Sequence, residues 1–208
     1  MDVKGIKVGL VGIYELHDHL EREQQLKDNI AKVKADGAQL IVVIFHWGNE
    51  TETVPDSNQT TLGRIAIDEG ADLVCGHHPH VLQGIETYKG RNIVYSLGNF
   101  CFGGNSSPSD MDTMIYQQTF TIDADGVKKD NVTNIIPCSI SSAMMDIIII
   151  SQLRQKVMRQ QESLEKSMSG VPGFLLQKAV LLLQNITVIM TPRAVLQIQL
   201  LQIAISLI

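Results

Sequence analysis

The run Gln39-Leu40-Ile41-Val42-Val43-Ile44-Phe45 sets the first limit on what this chain can fold into. It is uncharged and rich in β-branched residues, the pattern of a strand covered on both faces in the interior of a parallel sheet. Parallel neighbours require crossover connections of a dozen or more residues, usually helices. The flanking sequence supplies them. Ile6 to Tyr14 reads as a strand, and Asp18 to Asp36 as a helix with Leu26, Ile30 and Val33 on one face and Gly37 as its stop. Asn58 to Glu69 reads as a second helix ended by Gly70, followed by a short strand over Asp72 to Cys75. Glu86 to Tyr88 and Asn92 to Ser96 flank a Lys89-Gly90 turn, Asp123 to Gly126 marks another hairpin, and Val132 to Ile140 is strand-like. Strand, helix, strand, helix, strand and then hairpins define an α/β layered fold.

Composition divides the 208 residues in two. Residues 1–143 hold nineteen acids against eleven bases, a balance of −8, whereas residues 144–208 hold three acids against six bases, a balance of +3. Only Gly170 and Gly173, of sixteen glycines, fall in the second part, so its turn signals nearly vanish. The first part is therefore read as the ordered domain and the second as an atypical, poorly ordered tail. An overall charge of −5 with a single Trp argues against nucleic-acid binding, which calls for a basic face or a stacking platform. Cys75, Cys101 and Cys138 form no C-x-x-C pair and read as small hydrophobes. No apolar run of about 18 residues predicts a membrane span, and the N-terminus has no signal-peptide pattern, so the chain as written reads as cytoplasmic.

The chemistry lies in the histidines. His46 directly follows the buried strand, and His77, His78 and His80 directly follow the next one. Ligands of open α/β sheets bind beyond the carboxyl ends of the strands, so parallel, adjacent strands would bring both sets to one rim. Imidazoles suit zinc, iron or manganese, and Pro79 restricts the backbone between His78 and His80. Three histidines in four positions are hard to explain by packing alone. His17 and His19 flank Asp18, which is expected to cap the first helix. A dinuclear hydrolytic site generally needs bridging carboxylates, and Glu50 is the one acid close to His46 in sequence. Ligands for a second ion are not evident.

Three segments, H-W-G-x-E from His46 to Glu50, G-x-H-P-H-V-x-Q from Gly76 to Gln83 and Y-S-L-G-N-F from Tyr95 to Phe100, occur in this order within Lys34 to Phe102. That stretch closely resembles the CapA family of poly-γ-glutamate capsule-synthesis proteins. The resemblance implies a calcineurin-like metallophosphatase architecture, an αββα sandwich, of which this sequence would carry the C-terminal part, with the N-terminal half and its Asp and Asn ligand motifs upstream of Met1. By the same resemblance His46, His78 and His80 hold a divalent Mn, Fe or Zn ion, dinuclear only in the intact protein. His77 assists proton transfer or faces substrate, with His46, Glu50 and Asn99 completing the catalytic set. The family closes with an N-Y-Q-P-T-P-like segment. With permitted codon choices, a one-base slip near codon 143 would turn Met144 to Arg159 into such a segment, so residues from about Met144 onward are read as out of frame. Implied partners are poly-γ-glutamate or another cell-envelope polymer and the capsule machinery, with intact members anchored in the membrane or outside the cytoplasm. Three functions stay open: a metal-dependent hydrolase or transferase, a non-catalytic assembly or export accessory, and an inactive gene fragment.

Overall fold

A computed structural model describes residues 1–3, 5–100, 108–129, 131–140, 175–176 and 195–200, the last two stretches as backbone only. The chain opens with a short strand β1 (Asp2–Val3), which turns back along β2 (Ile6–Tyr14). A 3-10 turn (His19–Glu21) leads into α1 (Arg22–Ala35), and Gly37 takes up the left-handed backbone at φ 83° that ends this helix. Asp18 makes no side-chain cap, contrary to the sequence expectation; it pairs instead with Arg22, one helical turn on. The buried run forms β3 (Leu40–His46), and α2 (Ser57–Asp68) follows. There the capping box is complete: Asp56 accepts from the Gln59 amide at 2.8 Å, and the Gln59 side chain accepts from the Asp56 amide at 3.0 Å. Then come β4 (Leu73–His77), β5 (Ile85–Tyr88), β6 (Arg91–Val94), β7 (Asp112–Asp123), β8 (Gly126–Val127) and β9 (Val132–Ser139). Two further strands are β10 (Leu175–Leu176) and β11 (Val195–Leu200).

The first sheet has the order β1-β2-β3-β4-β6-β5-β10, with β2, β3, β4 and β6 mutually parallel. The second is built on β7, which pairs antiparallel with β8, β9 and β11. Alternation along β3 shows how the layers stack. Ile41, Val43 and Phe45 face α1 and α2, where they meet Leu26, Ile30 and Leu62. Leu40 and Val42 face the other way, with Cys75, Met114, Tyr116 and Phe120 between the two sheets. Each such large side chain, fully buried, contributes roughly 1.5–3 kcal/mol. The described residues thus form helix, sheet and sheet layers, with both α-helices packed on the first sheet; no helix covers the outer face of the second among them. Cys75 is an inert core residue, its thiol pushed up to about 12 by burial. The out-of-frame reading from Met144 falls outside the described residues, apart from the backbone pairing of β10 and β11.

Candidate metal centre

Three parallel strands end on one line, because Tyr14 of β2, His46 of β3 and His77 of β4 are register partners. Both strands run one or two residues further than the sequence suggests, so each terminates on its histidine. Holding β4 this close requires Gly76: a Cβ there would lie 2.0 Å from the Tyr95 carbonyl and 2.3 Å from Trp47 Nε1. Those two groups bond to each other at 2.8 Å through the space left by the missing side chain.

The loops beyond the strand ends lean on one another. The Trp47 amide donates to the His77 carbonyl at 3.1 Å, and the Thr51 amide to the Pro79 carbonyl at 2.8 Å. Gly48 adopts φ 74°, and a Cβ on it would strike the Gln59 side chain at 2.6 Å. Gln59 in turn donates to Gln83 at 2.8 Å, and Gln83 to the Glu52 carbonyl at 2.9 Å, so the loop is held from behind. His78 and His80 have φ of 98° and 59° on either side of Pro79. Such conformations are costly for non-glycine residues, and their concentration in a cluster of potential ligands points to a site.

Glu50, His78 and His80 converge: one carboxyl oxygen and one ring nitrogen from each histidine lie within 4.8 Å of one another. His46 stands beside this set, its ring 4.7 Å from that of His78 and stacked on Tyr14 at 5.4 Å. Asn99 is buried and grips His80 twice, Oδ1 at 2.7 Å from Nδ1 and Nδ2 donating to the His80 carbonyl at 3.1 Å. That engagement leaves Nε2 as the ring nitrogen able to bind an ion. Burial lowers the pKa of His46 and His78, each with help from neighbouring imidazoles, while Glu50 opposes the shift at His78. Burial and His46 bring His77 down to about 4. Neutral rings are the ligating form. The donors, two imidazoles and one carboxylate with a third imidazole alongside, fit zinc, iron or manganese.

Glu15 escaped the sequence reading. It follows β2 directly, is 1% exposed, and its carboxyl group takes bonds from the Gly48 amide at 3.3 Å and from His19 Nδ1 at 2.7 Å. An acid immediately past the end of a strand, one position beyond Tyr14, was the available signal.

An α/β sheet with a histidine-carboxylate cluster at its strand ends can now be set beside known proteins. Residues 3–104, just under half of the chain, match the family described as bacterial capsule synthesis protein PGA_cap. Two relatives match part of the chain. The capsule biosynthesis protein CapA of Bacillus anthracis is 49% identical over 69 residues, 33% of this chain and 17% of that protein. The PGA biosynthesis protein CapA of Bacillus subtilis is 52% identical over 65 residues, 31% of this chain and 17% of that protein. The matched stretch therefore spans about a sixth of these relatives. Among the described residues no helix is long and apolar enough to cross a membrane.

Proposed function

We propose that this chain carries the histidine-rich half of a calcineurin-like metallophosphatase site, in a protein that acts as a metal-dependent hydrolase or transferase in capsule polymer assembly. The supporting observation is the convergence of Glu50, His78 and His80 at the carboxyl end of a parallel sheet, with His80 oriented by Asn99. Layering of one sheet on another, with helices outside the first, is compatible with that architecture.

In this reading His78 and His80 hold the ion through ring nitrogens, and Glu50, exposed at the mouth, supplies the balancing carboxylate. A bound divalent ion would polarise a phosphoryl or carbonyl oxygen and lower the pKa of a water nucleophile. His46, between Tyr14 and His78, can join the ligand set or face the charge that develops on substrate. His77, half-buried at the strand end and kept neutral by burial, faces substrate in this reading rather than serving as a strong base. The names of the relatives suggest poly-γ-glutamate, or a precursor of it, as the polymer concerned.

The test is a titration of the full 208-residue chain with Mn2+, Zn2+ and Co2+, followed by isothermal calorimetry and, for Co2+, visible absorption. Stoichiometric binding is expected, weakened at least about 100-fold by His78→Ala while the melting temperature of the metal-free chain moves little. Binding that ignores His78→Ala would sink the metal reading. Polymer binding with no metal requirement would favour the accessory role instead.

A further inference from the structure

We infer that Glu15 is a positioning residue of the metal centre, holding the loop that carries His46 and Glu50 in its ligating shape. This rests on the metal reading above. The residue sits where β2 ends, and its polar contacts are divided between that loop and its neighbour His19. Its amide donates to the His46 carbonyl at 2.9 Å, and its carboxyl Oε2 accepts from the Gly48 amide at 3.3 Å. Oε1 lies 2.7 Å from His19 Nδ1, and the His19 amide returns to the Glu15 carbonyl at 3.1 Å. The preceding residue acts on the same loop, since the Tyr14 ring lies flat on His46 with an interplanar angle of 6°.

Burial makes this placement informative. A carboxyl group at 1% exposure loses most of its hydration, and such groups are kept inside only where hydrogen bonds compensate. Here the compensating donors are the backbone of Gly48, two residues from both His46 and Glu50, and an imidazole that is 57% exposed. A group needed only for packing would be served better by an apolar side chain of similar volume. Outer groups of this kind typically alter metal affinity by about 10- to 100-fold when removed.

The experiment is a Co2+ titration of the full chain and of Glu15→Ala, Glu15→Gln, His19→Ala and His78→Ala, read by visible absorption and matched with thermal melts. Glu15→Ala is expected to bind about 10- to 100-fold more weakly and to show a shifted d–d band at saturation, a change that lost stability alone does not produce. Glu15→Gln, which keeps an acceptor for the Gly48 amide, should recover most of the affinity. Should Glu15→Ala fail to fold, His19→Ala decides: a several-fold loss supports the assignment, and affinity within about two-fold of the parent overturns it. Parent-like affinity in Glu15→Ala, with His78→Ala defective, overturns this inference and leaves the metal reading standing. A parent chain that binds no Co2+ overturns both.

Discussion

Two polar clusters sit at opposite ends of the same α/β scaffold, and they are built on opposite rules. Between the sheets, Asn92, Tyr116 and Gln118 are all essentially buried. Asn92 Nδ2 donates to Tyr116 Oη at 2.9 Å and to Gln118 Oε1 at 3.2 Å, and its own Oδ1 accepts from Thr87 at 2.9 Å. Tyr116 donates to Gln118 at 2.6 Å, and Gln118 to Asn131 at 3.4 Å. Donors meet acceptors throughout, as a buried network requires. At the rim, by contrast, like faces like: His46, His78 and His80 are ring neighbours, their shared surroundings resist protonation at His46 and His78, and the backbone at His78 and His80 is strained. A self-sufficient network stabilises a fold, whereas neighbouring imidazoles held in a costly geometry are what the metal reading proposed above accounts for.

The two clusters should separate under mutation. Gly76→Ala is expected to have the largest effect, because its Cβ would meet backbone at 2.0 Å and also break the bond between Trp47 and Tyr95. A loss of about 3 kcal/mol or more, or on the order of 10 °C in melting temperature, should appear in a circular-dichroism melt. A melt unchanged by this substitution would mean that the spacing of β3 and β4 at the rim is not set there. Asn92→Ala comes next. It strands the Thr87 hydroxyl, takes one donor each from the Tyr116 hydroxyl and Gln118 Oε1, and opens a small cavity, for a loss of about 2–3 kcal/mol. Metal affinity per folded molecule should stay within about two-fold. Should it fall with stability, the two clusters are coupled and the contrast fails.

Much of the scaffold was legible because its signals are local. The β-branched run marks β3 to within a residue, Gly37 and Gly70 stop their helices, and Lys89-Gly90 turns β5 into β6. The histidines stood out because three of them crowd one strand end. What escaped reading depends on partners distant in sequence. Asp18 looks like a cap in isolation, but Arg22 captures its carboxylate. Glu15 looks like an ordinary surface acid until β3 brings Gly48 beside it, 33 positions away. The insertion of β6 between β4 and β5, which places Val94 and Ile85 in the core between the sheets, is recorded by no periodicity. Asn99 was recognisable only as part of a motif; the clasp on His80 spans 19 positions.

That clasp offers the finest test of the contrast, because Asn99 belongs to both kinds of cluster. It is buried and fully engaged like Asn92, yet its partner is a ligand candidate. If engagement is what matters, Asn99→Ala should cost stability in proportion to two lost hydrogen bonds and leave metal affinity alone. If position matters, it should free the His80 ring to rotate and weaken metal binding about 10- to 100-fold, equivalent to about 1.4–2.7 kcal/mol, with a smaller change in the metal-free melt. The second outcome is expected, because Nδ1 of His80 is the atom that Asn99 Oδ1 holds, and that contact selects Nε2 for the ion. Asn99→Asp sharpens the distinction. A carboxylate accepts from Nδ1–H at least as well as an amide and raises the basicity of the ring, but it cannot donate to the His80 carbonyl. Affinity restored by Asn99→Asp, with stability still reduced, would assign the ring contact to metal binding and the backbone contact to the fold.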